Sequence, residues 1–500
     1  MNGEAIKSFI SDYTQSEGYR EILCGERYYR IKNDILGKKL NEYNFYNQES
    51  RMIEKKINPN KSDIHLPHSF YRKQVDQKKI YVAGKPITIT YNAPVIGDKT
   101  DAVKLQEKKI DNLVWNKLGF NFEELIKNSI VNASNAGRTW LHPNYKDGKL
   151  IFEKYDAKEC RPIYDSETET HLVGMIHFYT IEDIEEKTEK IRVEYWDDKE
   201  VIYYIEEKQA DGTESIFVED VTRPRSGCHF TKEIYDSVLD SLITVEKHSW
   251  GRVPFIEIKN NEDRETDLKP IKNLIDAYDL INSNYVNTIE DLREIVWLIT
   301  GYGAEDLLAL IENLRVNGVA RTNDTTGSID AKLLAIPYEA REALLKGLKE
   351  LIYEFGRAVD TTNKDLVGKA PSGVSLEFLF SDLDMKADDI ITSLRTSLYE
   401  VIWYVLEDLK SEGKVTSDIE VFDFKIEFNK SRIFNEIEKV QALSSDQTLS
   451  LRSKLDIHPW VSDADVEMQR INEEKEENIR RQQELFKTNE PFGKEKEDEE

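Results

Sequence analysis

Two long helical patterns enclose a short mixed segment, and this arrangement constrains the fold more than any other feature of the chain. The first pattern starts at Pro270, where a first helical turn tolerates a missing N–H. Ile271, Leu274, Ile275, Tyr278 and Ile281 then mark one face at helical spacing, and the pattern resumes at Ile289, Leu292 and Ile295. The second opens at Pro337, with Leu344, Leu345, Leu348, Leu351, Ile352 and Phe355 on one face. Between them the spacing predicts a small helix (Ala304 to Leu314), a strand-like Gly318-Val319-Ala320-Arg321-Thr322 and a turn at Asn323-Asp324-Thr325-Thr326-Gly327. Two long helices thus flank a small α/β insert.

The flanking sequence predicts a mixed α+β chain. Residues 1–56 combine charge with Tyr28, Tyr29, Tyr43, Phe45 and Tyr46 at loosely helical spacing, before a turn cluster at Asn58-Pro59-Asn60-Lys61. A helix is expected from Phe70, ended by Gly84, with a strand over Ile87–Tyr91. Residues 102–136 read as helical up to Gly137. Residues 139–260 alternate in short β-rich pieces broken by Asp-Gly and Asp-Asp turns, which predicts an antiparallel β unit. After Asp360 comes a polar, Gly- and Pro-punctuated loop, of the length that is usually functional. A helix carrying Ile390, Ile391, Leu394, Leu398, Val401, Ile402, Val405 and Leu409 follows, ended by Gly413. Val421–Phe428 reads as a strand, residues 435–486 as broken helix, and residues 487–500 as an acidic tail too polar to order itself.

At 500 residues the chain is too long for one compact core, so two to four domains are expected. Its formal net charge is −26. Tight nucleic-acid binders need Lys and Arg against phosphates, so this balance argues against a grip on DNA. It does not argue against DNA sliding past a wall. Cys24, Cys160 and Cys228 are too few and too scattered for a disulfide framework or a metal site, which fits synthesis in a reducing cytoplasm. Met1–Gln15 lacks the charge-then-apolar pattern of a secretory leader. The richest apolar stretch, Ile295–Thr300, is far short of the roughly 20 residues that cross a bilayer, so no membrane partner is expected.

The common local signatures of chemistry are missing from the sequence. Gly97-Asp98-Lys99-Thr100 lacks the upstream Gly of a phosphate loop, and Gly368-Lys369-Ala370 lacks the following Ser or Thr. His65 with His68, and Cys228 with His229, do not reach the three or four ligands zinc needs, so structural roles are expected. Acidic runs such as Glu182–Glu186 arise by chance among 95 Asp and Glu and read as solvated faces. No catalytic residue, cofactor or metal is expected, and the chain is read as a non-enzyme.

Several local stretches carry a resemblance. They are Ile64–Ile87 (IHLPHSFYRKQVDQKKIYVAGKPI), Ala133–Trp140 followed by Asp147-Gly148, and Arg161-Pro162-Ile163-Tyr164-Asp165. Arg252-Val253-Pro254-Phe255 and Asn260-Asn261-Glu262 lead into LKPIKNLIDAYDLINSN. Ser372-Gly373-Val374-Ser375-Leu376 and Ser453–Val461, with His458-Pro459-Trp460, complete the series. In this order, over about residues 20–480, they resemble the portal proteins of tailed bacteriophages, of the siphophage type found with Gram-positive hosts. Ser375 and Trp460 depart from that family's Ser-Gly-Val-Ala-Leu and His-Pro-Phe-Val.

The resemblance implies a portal fold: a wing (residues 1–267), stem helix 1 (268–294), a small α/β clip (295–336), stem helix 2 (337–358), a tunnel loop (359–373), a long wing helix and strand (374–434), a helical crown (435–486) and the acidic tail (487–500). It implies a ring of twelve subunits, or thirteen in isolation, at the unique capsid vertex of the virion. Double-stranded DNA passes through that ring in packaging and ejection. Implied partners are the terminase large subunit, a head–tail adaptor, and the major capsid and scaffolding proteins. Thr362, Asn363, Lys364, Asp365 and Lys369 fall on the tunnel loop; Lys364 and Lys369 are either phosphate contacts or ordinary loop lysines. Trp297, Arg315, Asn317 and Arg321 fall on the clip's docking surface, with Trp297, Leu298 and Ile299 either in the subunit contact or buried within the clip. The alternatives are another virion structural protein of the tail or baseplate, a metal-dependent nuclease with converging carboxylates, or a non-viral scaffold.

Overall fold

The computed structural model describes residues 2–47, 51–59, 61–94, 100–146, 148–167, 171–183, 188–208, 215–223, 225–235, 242–291, 296–300, 328–332, 338–362, 373–430, 440, 443–446, 448–458, 460–461 and 464–487. The chain divides into two units, residues 1–360 with 382–431 and residues 361–381 with 432–500.

The larger unit opens with α1 (Gly3–Gln15) and α2 (Glu17–Tyr29), whose first turns are capped by the side chains of Asn2 and Ser16. The aromatic stretch that follows is not helical. After a 3-10 turn (Asp34–Gly37) it forms a hairpin of β1 (Glu42–Asn47) and β2 (Met52–Ile57). Tyr, Phe and Ile favour the pleat, and here that preference prevails over the loose helical spacing. Helix α3 (Phe70–Ala83), β3 (Thr88–Tyr91), α4 (Asp101–Leu118) and α5 (Phe122–Ala136) come next. The single helical stretch expected over 102–136 is broken at Gly119, which takes a φ of +78°. Gly137 ends α5 as expected, with φ +77°, and a Cβ there would lie 1.8 Å from the Arg264 carbonyl oxygen, so only glycine fits.

The strands of the β unit pair antiparallel. β4 (Arg138–Lys146), β5 (Lys149–Tyr155), β6 (Cys160–Tyr164), β7 (Leu172–Asp183), β8 (Thr188–Trp196), β9 (Val201–Lys208), β10 (Ser215–Glu219), β11 (Phe230–Tyr235), β12 (Leu242–His248) and β13 (Ile256–Lys259) follow in chain order. They build a five-stranded sheet (β10-β9-β8-β7-β6), a three-stranded sheet (β13-β4-β5) and a hairpin (β11-β12). Trp140, Met175, Trp196, Val201 and Phe255 pack between the strands, and Ile6, Ile10, Tyr13 and Ile22 of α1 and α2 cover Ile176, Val193 and Tyr204.

Next comes α6 (Lys272–Asp291), then β14 (Val296–Thr300) paired antiparallel with β15 (Ser328–Lys332), then α7 (Tyr338–Phe355). The expected insert helix (304–314) and strand (318–322) lie outside the described residues. The long helix α8 (Gly373–Ser411) buries all eight of its predicted apolar positions, and Gly413 ends it with φ +67°. β16 (Phe424–Glu427) pairs with β3; the expected strand starts late, because residues 421–423 form a 3-10 turn. In the smaller unit, α9 (Leu451–Asp456), capped by Ser450, packs on α10 (Ala464–Lys487). Among the described residues no helix is long and apolar enough to cross a membrane.

Asp408 of α8 ties the larger unit together. It is buried and accepts from Lys117 Nζ of α4 (2.5 Å), Lys232 Nζ of β11 (3.2 Å) and the Tyr145 hydroxyl of β4. Burial alone would raise its carboxyl, but the hydrogen bonds from Lys117 and Tyr145 and the lysine charges outweigh burial and hold it below its ordinary 3.8. A depressed carboxylate contributes stability that is complete above its unfolded pKa and is lost as pH falls through the folded one. Thermal melts should therefore fall steeply below about pH 4. Asp408→Asn should melt lower at neutral pH and lose less on acidification; a parallel acid loss in both proteins would remove Asp408 as a source.

Candidate functional site: a braced helix pair

α6 and α7 pack side by side, and two polar arrangements hold them. The first runs along α6. An extended strap, Ser62–His68, lies antiparallel to the helix and is fixed to it through every second backbone N–H. His68 N donates to Asp279 Oδ1 (3.1 Å), Leu66 N to Ser283 Oγ (3.0 Å), Ile64 N to Asn287 Oδ1 (2.8 Å) and Ser62 N to Asp291 Oδ1 (2.9 Å). The acceptors sit at every fourth helical position. Four residues of helix rise about 6.0 Å, and two residues of extended chain advance about 6.2 to 6.8 Å. The two spacings match, so one rung follows another. Pro67 lies on the phase that donates nothing, where a missing N–H costs no rung, and it holds Leu66 extended.

Asp279 anchors this ladder and is fully buried. Besides the backbone rung it pairs with His68 Nδ1 (2.7 Å) and accepts from Asn33 Nδ2 (2.6 Å). His68 Nε2 in turn meets Asn282 Nδ2 at 2.9 Å. His65 Nε2 lies 2.6 Å from the Lys38 carbonyl, which ties the strap to the segment before the β1–β2 hairpin. Both histidines therefore have structural roles.

The second arrangement sits at the root of the pair, where the start of α6, the end of α7, α3 and α8 converge. Asp267 is buried between two lysines, Lys78 (3.1 Å) and Lys386 (3.4 Å). Lys78 Nζ also donates to Asn260 Oδ1 (2.6 Å), and Lys386 Nζ to the Gly356 carbonyl just past α7 (2.9 Å). Burial raises Asp267, but the Lys386 and Lys78 charges overcome it and hold the carboxyl far below its ordinary value. Burial pushes Lys78 down to about 8 against the pull of Asp267. Gln74 donates to the Ile352 carbonyl (3.0 Å), and Gln77 makes a two-way amide pair with the Val359 backbone (3.0 and 3.2 Å). Gly356 admits the Gln74 side chain; a Cβ there would come within 2.1 Å of Gln74 Oε1.

The end of α7 is a Schellman turn: Ala358 N donates to the Tyr353 carbonyl and Arg357 N to that of Glu354, with Arg357 in the left-handed region (φ +48°). A non-glycine there costs about 1 kcal/mol, and the contacts of Gln74, Gln77 and Lys386 oppose that cost. They fix the direction in which the chain leaves α7 toward the loop.

Of the predicted loop residues, Thr362 lies at the end of the described segment, and Asn363, Lys364, Asp365 and Lys369 lie outside the described residues. Trp297 is on β14, its backbone paired with Ala331, while Arg315, Asn317 and Arg321 also lie outside. The ladder and the root network are absent from the sequence reading. The signal for the ladder is an i, i+4 series of short polar residues, Asp279, Ser283, Asn287 and Asp291, opposite a Pro-containing extended stretch. The apolar face predicted for the second helix is also divided: Ile352 is buried, but Leu344 (51%), Leu351 (37%) and Phe355 (53%) are exposed. Among the described residues no group of His, Cys, Asp and Glu could hold a metal ion.

Comparison with known proteins gives one consistent result. The family described as "Phage portal protein, SPP1 Gp6-like" matches residues 10–481. The chain is 28% identical over 461 residues to the portal protein of Bacillus phage SPP1, covering 91% of this chain and 83% of that one. It is 28% identical over 496 residues to the portal protein of Clostridium phage phiCD119, covering 95% and 96%.

Proposed function

Because the chain belongs to the SPP1 Gp6-like family of phage portal proteins, we propose that it forms a twelve-subunit ring at the unique capsid vertex. The ring conducts double-stranded DNA in packaging and ejection. It docks the terminase large subunit first and a head–tail adaptor afterwards, with the major capsid and scaffolding proteins around it. On this reading α6 and α7 are the stem, β14 and β15 belong to the clip, residues 359–373 are the tunnel loop, and α9 and α10 belong to the crown. The α/β unit of residues 1–267, with α8 and β16, is the wing. Lys364 and Lys369 meet the passing phosphates, and Trp297, Arg315, Asn317 and Arg321 face the docking partners. The portal itself performs no chemistry, since a separate motor supplies the ATP hydrolysis.

The observation that carries the ring is the apolar stripe of α7. Leu344, Leu351 and Phe355 repeat at helical spacing and are exposed in the single chain. A closed ring needs such heterologous surfaces on every copy. The charge supports the conducting role: twelve copies at −26 carry about −312, a field of one sign that repels phosphates instead of binding them. Native mass spectrometry with negative-stain microscopy of the purified protein tests the reading. Rings of twelve or thirteen copies with a central hole are the expected result. A compact monomer at every concentration and with scaffold present would refute it.

A further inference from the structure

We propose that the β1–β2 hairpin is an arm by which one copy of this chain grips the next. The inference rests on the ring reading and adds a contact outside the stem. Among the described residues the two strands pair only with each other. A two-stranded hairpin is at best marginally stable in water without a surface to pack against. This one leaves Tyr43, Phe45, Tyr46, Met52, Ile53 and Ile57 exposed, at 39–70% of their surface. Register places Tyr46 opposite Ile53 and Asn47 opposite Met52, so apolar groups stand on both faces. An apolar patch of this density on one small element marks an interaction site.

The base of the arm is held firmly. Asn58 N donates to the Asn41 carbonyl (2.9 Å), Leu40 N to Asp63 Oδ1 (2.8 Å), and the chain then runs directly into the strap that is laddered onto α6. The arm is therefore carried by the stem helix and projects from it.

Charge identifies the occupant. The hairpin itself, residues 42–57, balances Arg51, Lys55 and Lys56 against Glu42, Glu49 and Glu54, and its foot adds Lys38, Lys39 and Lys61, so residues 38–61 carry a net +3 in a chain of −26. An apolar arm without net charge and with a basic foot meets no repulsion from an acidic surface, and so complements another copy of this molecule. DNA is the poorer fit, because Met52, Ile53 and Ile57 would place aliphatic surface against phosphates. Lys56 Nζ is also already engaged, 3.7 Å from the centre of the Phe45 ring.

The test uses the full chain carrying Tyr46→Thr with Ile53→Thr, which removes apolar area while keeping strand-forming residues. At the concentration where the unaltered chain assembles, the ring fraction should fall about tenfold with the monomer's melting temperature unchanged. Hydrogen exchange of the unaltered chain supplies an independent reading: the Tyr43–Ile57 amides should be protected in the assembly and exchange freely in the monomer. Normal rings from the variant, or a hairpin left unprotected within rings, would overturn the arm and leave the ring reading standing. Normal rings with weakened DNA retention would overturn it in favour of a nucleic-acid contact. An unaltered chain that never assembles would sink both readings.

Discussion

Asp279→Ala should destabilise the folded chain by about 3–5 kcal/mol, the range for removing one partner of a buried charged network. The loss leaves the His68 N–H, the His68 ring and the Asn33 amide without their common acceptor in a site that Asp279 fully fills. The effect should also spread. With the anchoring rung gone, hydrogen exchange at Leu66 and Ile64 should accelerate, because their rungs are ordered by the same strap. Asp279→Asn keeps one acceptor and should cost about 1–2 kcal/mol. Denaturant melts of the two variants decide the matter. A change under about 1 kcal/mol for Asp279→Ala would show that water replaces the ladder without penalty.

Asp267→Ala should cost a similar 3–5 kcal/mol, for a different reason: it leaves two buried ammonium groups facing each other without their carboxylate. Lys78→Met makes the contrast. It preserves the Asp267–Lys386 pair and orphans only Asn260 Oδ1, so it should cost about 1–3 kcal/mol. pH distinguishes the two further. Lys78 has a folded pKa near 8, below its ordinary 10.5, so folding is penalised while the unfolded lysine is protonated. That penalty is full below about pH 8 and fades as pH rises toward 10.5. In Asp267→Ala the counter-charge is gone, so the alkaline recovery should be larger than in the unaltered chain, and in Lys78→Met it should be absent. Equal slopes in all three proteins would remove Lys78 from the account.

The parts of the fold that the sequence reveals are those written in apolar spacing and in glycine. Ile390 to Leu409 forms a stripe because burying it needs a 3.6-residue period, and Gly413 marks the end of that helix because a left-handed turn suits glycine. Two other helix ends use the same Schellman turn with Ile31 and Arg357 in the left-handed position, and no residue preference betrays them. The hairpin of residues 42–57 is hidden for another reason: its apolar residues stand on both faces, so the single-sided alternation that announces a half-buried strand is absent. The ladder on α6 is hidden because Asp279, Ser283, Asn287 and Asp291 look like a solvated face. Burial of a polar series becomes visible only when its donors, which belong to the backbone of a distant segment, are placed opposite. Lys78, Asp267 and Lys386 likewise come from three separate stretches, and no local pattern unites them.

The strap and α6 act as two rulers with commensurate divisions, two residues of one to four of the other, and this limits how the chain can change length. Every residue but proline carries an N–H, so after a one-residue deletion between Ile64 and Pro67 the N–H groups of Asp63 and Lys61 would meet Asn287 and Asp291 in place of those of Ile64 and Ser62, with the strap's side chains turned to the opposite face. A two-residue deletion slides the upstream chain one full division and keeps its side chains on their original faces. Only even changes therefore preserve both the rungs and the facing of the side chains.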